Sequence, residues 1–490
     1  MKENNFSNKV IIATKWSTIT EVMAKLVSPV TNMILARIIS PEAFGVVATV
    51  TMIVSFADMF TDSGFQKYLV QHEFENKEEI YINANVAFWT NFCISILLWM
   101  TIILFRDHIA ILVGNPSLGR VIAIACLQLP LTSFSSIQMA LYRRDFDFKT
   151  LFIVRMISAC IPFLITIPLA LLGLKYWALI IGSISIQLLN AIILTLKSKW
   201  KPKFNYDLNV LKEMLSFSIW SLIEAISIWL STWADAFIIG NALSQYYLGI
   251  YMTSISMVNA LMLLITGSIT PVLFSTLSRL QNDKEKFYKV FLKFQKSVSI
   301  IVFPLGAGVY LYRDLATKIM LGSQWSEASN VIGVWALTSS IHIVLSHFCS
   351  ELYRAKGSPK LSFIAQLLHL VVLIPACIIS SNFGFWPLVY TRSWIRLEML
   401  LVHYIIMKYV VKYSFMNMIT NVSLTVIASI FMFLFGTMLQ QIRTGIIWSI
   451  FSILLCSIFY FGILMLNQDM KQEILTILKG IIPRNMFRKT

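Results

Sequence analysis

Fourteen apolar stretches, each long enough to cross a bilayer as a helix, run through the chain. A hydrocarbon core about 30 Å thick needs roughly 20 mostly apolar residues per helical crossing. Only 13% of the residues are charged and 57% are hydrophobic, whereas soluble domains carry about 25% charged residues. The sequence therefore predicts an all-α polytopic membrane protein, with spans near 10–38, 44–70, 83–105, 119–141, 151–172, 177–196, 215–241, 246–276, 295–312, 328–353, 361–380, 386–410, 418–440 and 445–466.

The positive charge is distributed unevenly between the two sides of the predicted membrane. Most of the 40 Lys and Arg residues lie in the terminal segments and in every second loop. By the positive-inside rule, these segments and both termini are expected in the cytoplasm. Orientation accounts for the net charge of +16, so we predict no nucleic-acid partner. Basic loops at that surface also attract anionic membrane lipids.

The cysteine and histidine spacings indicate no metal centre. All six cysteines fall inside apolar stretches, and no Cys-x-x-Cys pair occurs. Reduced, buried thiols are expected, with no disulfide framework, metal or cofactor. The loops predicted outside the cell are short and carry no catalytic motif, which predicts that the protein is not an enzyme and has no catalytic residues.

An internal repeat relates the two halves of the chain. Trp16 matches Trp220, and Gly45 matches Gly249, each pair 204 residues apart. Six predicted spans separate the copies, and an even number gives both halves the same orientation, as in parallel-repeat transporters. We predict a six-helix N-lobe at 1–200, a six-helix C-lobe at 201–412, two added helices within 413–466 and a cytoplasmic amphipathic tail at 467–490.

Several motifs resemble one family of membrane transporters. The resemblance covers about the first 410 residues and rests on Lys15-Trp16-Ser17, Leu35-Ala36-Arg37-Ile38, Pro41-Glu42-x-Phe44-Gly45, Asp58-x-x-x-Asp62-x-Gly64-Phe65, Pro271-Val272-Leu273-Phe274, residues 281–286 and Gly322-x-x-Trp325. The chain resembles bacterial polysaccharide repeat-unit flippases, the Wzx-type O-antigen and exopolysaccharide exporters of the multidrug/oligosaccharidyl-lipid/polysaccharide superfamily.

The resemblance implies two lobes around a central cavity and alternating access. It implies a substrate made of an oligosaccharide repeat unit on undecaprenyl diphosphate, moved from the cytoplasmic to the outer leaflet of the bacterial inner membrane. A polysaccharide polymerase and a chain-length regulator are expected as further partners. Two alternatives stay open: a cation antiporter of the same superfamily, and a membrane polymerase or glycosyltransferase.

Five charged residues in the first two spans are predicted to form a cluster. Charge near the bilayer centre is costly, so such residues face a cavity or a partner. Counted from the turn between the two spans, Lys25 lies roughly 18 Å deep and Asp58 roughly 21 Å deep. Glu21 and Asp62 lie one turn further, and Lys15 is nearer the cytoplasm. The cluster either fixes the packing of the two helices or lines a cavity, and these interpretations are compatible.

Further charged residues are candidates for substrate or ion binding. Arg155, one turn inside its span, either reaches the membrane surface or contacts a phosphate, and Arg37 belongs to the Leu-Ala-Arg motif. We predict Lys15, Lys25, Arg37 and Arg155 as substrate-binding residues. Glu224, in mid-span, and Asp235, nearer the outer face, join Glu21, Asp58 and Asp62 as acidic cavity or coupling residues. The residues Arg392, Arg396 and Glu398 favour structural pairing.

Overall fold

The computed structural model describes residues 27–62 and 64–481, together with Trp16, Thr20 and Met23. These residues form helices joined by short turns, with no β-strand among them. An α-helix satisfies its own backbone hydrogen bonds, which the water-free bilayer core demands. The predicted all-α class is therefore confirmed.

The chain packs as two compact units, Met1–Met252 and Thr253–Thr490. The helices of the first are α1 (27–38), α2 (Pro41–Asp62), α3 (Phe65–Gln71), α4 (Lys77–Leu104), α5 (Arg106–Leu112), α6 (Gly119–Ala125), α7 (Gln128–Arg144), α8 (Phe148–Ile161), α9 (Ile167–Leu171), α10 (Tyr176–Lys197) and α11 (Leu208–Ala242). Helix α12 (Gln245–Arg279) begins in the first unit and continues into the second.

The second unit continues with ten further helices among the described residues. They are α13 (Lys284–Leu311), α14 (Arg313–Met320), α15 (Ala328–His342), α16 (Phe348–Ala355), α17 (Pro359–Ser381), α18 (Phe385–Ile395), α19 (Glu398–Ile405), α20 (Phe415–Ile442), α21 (Ile446–Met465) and α22 (Gln468–Ile481). Wider π-helical turns join α8 to α9 and α15 to α16, and another follows α19. Helix pairs joined in this way form single long spans.

Eleven segments of the described residues are long and apolar enough to cross a bilayer, and each coincides with one of the predicted stretches. Of the other three stretches, 10–38 lies largely outside the described residues. The stretch 215–241 lies in α11, where several side chains are outside the description. The stretch 386–410 is divided among α18, α19 and a π-helical turn. The total of fourteen spans and the predicted lobe boundaries therefore stay predictions.

The core of the first unit is built on α4. Phe88 is 1% exposed, and its ring lies 5.4 Å from that of Phe134 on α7 and 5.9 Å from that of Trp200. The loop after α10 is fixed to α4 by two hydrogen bonds: Trp89 Nε1 donates to the Lys203 carbonyl at 3.0 Å, and the Lys203 amide donates to Asn85 Oδ1 at 3.0 Å. This loop is therefore part of the packed unit.

The core of the second unit includes the C-terminal helices. Tyr460 of α21 is buried and donates to the Ile300 carbonyl of α13 at 2.9 Å. Part of the amphipathic tail predicted at 467–490 forms α22, whose Met470 and Ile474 pack into the same cluster. Because part of its apolar face covers protein, α22 is attached to the unit. Its location in the cytoplasm stays a prediction.

The repeat-related glycines Gly45 and Gly249 lie against each other where α2 and α12 cross. A Cβ on Gly45 would stand 1.8 Å from the carbonyl oxygen of Gln245, and a Cβ on Gly249 would stand 1.8 Å from that of Pro41. Pro41 and Gln245 are themselves 204 residues apart. The contact is thus reciprocal, as expected for two copies of one motif meeting about a pseudo-twofold axis.

We expect Gly45→Ala to destabilise the protein because the new methyl group meets backbone, which cannot rotate away. Overpacking of this kind costs about 1–3 kcal/mol. The control is Gly308→Ala in α13, where a Cβ meets no heavy atom within 4 Å and alanine improves helix propensity. Thermal unfolding of the detergent-purified variants measures the difference. Equal melting temperatures for Gly45→Ala and wild type would contradict the close contact between the backbones of α2 and α12 at Gly45.

Candidate functional site

The structure describes only part of the charged cluster predicted in the first two spans. Lys15, Glu21 and Lys25 lie outside the described residues, as does the side chain of Asp62. Asp58 is half-buried in the last turns of α2, where the Thr61 hydroxyl donates to its Oδ1 at 3.2 Å. The predicted arrangement of Lys25 among three carboxylates therefore stays a prediction.

Helix α11 packs beside α2 at the level of these acidic residues. Trp229 Nε1 donates to Ser55 Oγ at 3.1 Å, and its ring lies 4.9 Å from that of Phe56. Asp58 follows Ser55 by three residues, and Glu224 precedes Trp229 by five on an oppositely directed helix. At 1.5 Å per residue, their backbones lie within about one turn of the same depth. The sequence alone did not pair these helices.

Asp235 is buried inside the first unit. It is 3% exposed, and its Oδ2 accepts a hydrogen bond at 2.7 Å from the hydroxyl of Tyr251, which is fully buried on α12. Six residues before Tyr251, at the start of α12, Gln245 Oε1 accepts a hydrogen bond from Thr49 Oγ1 of α2 at 2.9 Å. These contacts connect α2, α11 and α12 through polar groups next to the glycine crossing.

A cationic cavity of about 390 Å³ lies between α7, α8 and α10. The predicted residue Arg155 lines it together with Arg143, Ser158 and Asn190. Ser158 Oγ donates to Asn190 Oδ1 at 2.6 Å, and an Arg143 guanidinium nitrogen donates to Gln66 Oε1 at 3.2 Å. We call this the Arg143–Arg155 cavity.

Two described residues near the N-terminus lie close to the same cavity. Thr20 lines it, and the Trp16 ring lies 5.0 Å from that of Phe152 on α8. Arg37, in contrast, is exposed near the end of α1 and does not line this cavity. The structure thus associates only Arg155, among the described candidates for substrate binding, with this concave polar surface.

The chemistry of the Arg143–Arg155 cavity suits an oxyanion. Guanidinium groups are always charged, and their forked donors match phosphate oxygens. Sequence reasoning missed Arg143, Ser158 and Asn190. Arg143 looked like a helix-end residue, and nothing in the sequence shows that these faces of α7, α8 and α10 meet.

A second polar cluster lies in the spans of the second unit. Glu398 pairs with His369 at 3.0 Å, and an Arg396 guanidinium nitrogen donates to Ser339 Oγ at 2.9 Å. Arg396 and Arg392 both lie over the ring of Trp335, at 4.2 and 5.2 Å from its centre. These contacts tie α15, α17, α18 and α19 together. In the part of the chain that the structure describes, no group of three or more His, Cys, Asp or Glu residues is placed to hold a metal ion.

The long apolar helices and the buried polar groups between them define a multi-pass helical membrane protein. A family model described as "Polysaccharide biosynthesis protein" matches residues 34–330. The chain belongs to this family, which confirms the resemblance drawn from its motifs.

Curated relatives carry related descriptions. The succinoglycan biosynthesis transport protein ExoT of Rhizobium meliloti is 26% identical, over 68% of this chain and 67% of its own. The lipopolysaccharide biosynthesis protein WzxC of Escherichia coli is 23% identical over 76% and 75%. The teichuronic acid biosynthesis protein TuaB of Bacillus subtilis is 21% identical over 73% and 74%.

Solved structures share the fold. The lipid II flippase MurJ in an inward closed conformation superposes with a TM-score of 0.74 at 14% identity, covering 92% of this chain and 98% of MurJ. An inward-facing multidrug transporter of the MATE family gives 0.59 at 12% identity, covering 83% and 98%. At these identities the likeness concerns the fold alone.

We expect Tyr251→Phe to destabilise the first unit because it removes one of the donors to a buried carboxylate. Losing a buried hydrogen bond of this kind costs about 1–3 kcal/mol. The double variant Asp235→Leu/Tyr251→Phe should be less destabilised than Tyr251→Phe alone, because it no longer buries a carboxylate that has lost its tyrosine donor. Unfolding of the single and double variants in detergent measures the coupling, and strictly additive effects would show that the hydrogen bond contributes nothing.

Proposed function

We propose that the protein is a flippase for lipid-linked oligosaccharides. It moves repeat units carried on undecaprenyl diphosphate from the cytoplasmic to the outer leaflet of a bacterial inner membrane, for surface polysaccharide synthesis. The observation that carries the proposal is the Arg143–Arg155 cavity, which two arginines line, in a chain of this family. The names of ExoT and WzxC as biosynthesis proteins support the same assignment.

The proposed mechanism is alternating access between two six-helix lobes around a central cavity, with fourteen spans and both termini in the cytoplasm. To move a lipid head group across the bilayer core, the protein must position the head group and compensate its negative charge. No covalent bond has to be made or broken. The protein is therefore proposed to be a transporter without enzymatic activity. Glycine crossings suit such motion, because the Gly45–Gly249 contact can separate without freeing interlocked side chains.

The cellular test is deletion of the gene in a strain without a redundant flippase. We expect loss of surface polysaccharide and accumulation of undecaprenyl-diphosphate-linked repeat units in the cytoplasmic leaflet, measured by lipid extraction with leaflet-selective labelling. A polymerase defect leaves single repeat units in the outer leaflet, so the leaflet distinguishes transport from polymerisation. Normal export with no accumulated intermediate would exclude the proposed function.

In the Arg143–Arg155 cavity, Arg155 is proposed to contact the diphosphate. A hydrogen bond to a charged group contributes about 1.5–3 kcal/mol, so Arg155→Ala should slow flipping by about tenfold or more. Arg155→Lys should retain part of the rate, because it keeps the charge. The matched control is Arg120→Ala at an exposed position of α6. The assay is flipping of labelled substrate in proteoliposomes, with each variant at equal reconstituted amount.

Energy coupling is proposed to involve Glu224 and the membrane potential. The cytoplasm is electrically negative, and one elementary charge crossing the full field gains about 2.3 kcal/mol per 100 mV. Outward movement of the anionic substrate is therefore favoured, and a proton or cation on Glu224 is proposed to reset the carrier. Potential and pH gradient, imposed separately on proteoliposomes, should each change the flipping rate. Glu224→Gln should abolish the response of the flipping rate to the pH gradient. Equal flipping rates with and without either gradient would contradict the proposed energy coupling.

A further inference from the structure

A second cavity of the first unit lies at the ends of its spans. It encloses about 500 Å³ where α4 begins and where α7 and α10 end. Its wall includes Lys77, Arg144, Lys197 and Lys199. We call it the basic end cavity. Arg143 and Arg144 are neighbours in sequence, yet one lines the Arg143–Arg155 cavity and the other lines this one, so the two cavities are on different faces of α7.

The basic end cavity has an excess of positive charge. Four basic side chains face two acidic ones, Asp145 and Asp147. Asp147 already caps α8: its carboxylate accepts from the Thr150 amide at 3.1 Å and from the Thr150 hydroxyl at 2.7 Å. Asp147 therefore has an established structural role, whereas the three lysines remain available to face a ligand of opposite charge.

The remaining basic group and the lysine loop are held in place. Arg144 donates to the carbonyls of Leu69 at 2.8 Å and His72 at 2.7 Å, and its guanidinium lies 4.5 Å from the centre of the Phe74 ring. The loop that carries Lys199 is anchored by Trp200, which is 4% exposed. The cavity wall is thus built before any ligand arrives, which lowers the entropic cost of binding.

One buried donor of this wall has no partner among the described residues. Trp200 lines the cavity, and its indole nitrogen makes no hydrogen bond with the part of the chain that the structure describes. A buried N–H group without a partner carries a free-energy cost. An acceptor oxygen bound next to this nitrogen would remove that cost.

The position of the cavity relative to the membrane indicates which kind of ligand it can bind. Lys77 is the first residue of one candidate span, and Arg144 and Lys197 are the last residues of two others. The cavity therefore opens at the boundary between hydrocarbon and head groups, on the side predicted to be cytoplasmic. Lipid phosphates lie at this depth, and anionic lipids are attracted to basic residues there. Tyr81 and Leu141 add apolar wall for the lipid's glycerol region.

We propose that the basic end cavity binds the phosphate group of an anionic phospholipid of the cytoplasmic leaflet. Lys77, Lys197 and Lys199 neutralise the phosphate, and Arg144 orders the wall beside them. The site is separate from the Arg143–Arg155 cavity. The proposal that it binds a lipid therefore holds whether or not the protein is a flippase.

The test is native mass spectrometry of the full-length protein, purified in detergent and titrated with phosphatidylglycerol or phosphatidylcholine. We expect the wild type to retain phosphatidylglycerol preferentially. The variant Lys77→Gln/Lys197→Gln/Lys199→Gln should lose about fivefold in retention per lysine, which corresponds to about 1 kcal/mol per charge. The control Lys286→Gln/Lys289→Gln/Lys293→Gln removes the same charge from exposed positions of α13 and should retain the lipid normally.

Each other outcome overturns the proposal. Equal retention by the wild type and the cavity variant shows that the cavity is not the site, and equal retention of both lipids shows that head-group charge is not recognised. If inorganic phosphate displaces phosphatidylglycerol at a concentration similar to that of the lipid, the cavity binds free phosphate instead. Preference for undecaprenyl diphosphate over phosphatidylglycerol makes it an entry site for the transported lipid. If the triple variant is not monodisperse, the single variant Lys199→Gln, at an exposed position, replaces it.

Discussion

The absence of water in the bilayer core is the constraint on which this structure depends. A polar group carried into the core is costly unless it finds a partner inside the protein. Asp235 finds Tyr251, Glu398 finds His369, and Asn91 donates to Ser136 at 2.9 Å. Each of these bonds joins two different helices. The polar residues that make the spans costly to insert therefore also determine which helices pack together.

The glycine crossing solves a related packing problem by different means. Between Gly45 and Gly249 the two backbones approach so closely that even a methyl group is excluded. Thr49 and Gln245, one turn away, add a hydrogen bond, so the crossing is specified by shape and by one polar pair. The two sides of the contact correspond in the predicted repeat, since Pro41 and Gln245 are 204 residues apart, as Gly45 and Gly249 are. Two of the residues that match in the sequence repeat, Gly45 and Gly249, are thus in direct contact in the structure.

Features that depend on one helix alone could be predicted from the sequence, and features that depend on two helices could not. Apolar length predicted the eleven described spans, and amphipathic spacing predicted α22. The partner of Asp235 could not be predicted, because periodicity identifies a face of α11 but not the helix opposite. For the same reason the sequence does not place Arg143 beside Arg155. Their proximity depends on which faces of α7, α8 and α10 surround one cavity.

The two cavities of the first unit lie on different faces of α7. At the end of α7, consecutive arginines diverge: Arg143 faces a cavity that also contains Asn190 and Ser158, whereas Arg144 is tied to the carbonyls of Leu69 and His72. Carbonyl ligation fixes Arg144 as part of a wall. Arg143 is held by a side chain instead, that of Gln66. The proposed lipid site therefore contains an arginine fixed by two backbone carbonyls, whereas the arginine of the proposed transport site is fixed through one side-chain amide.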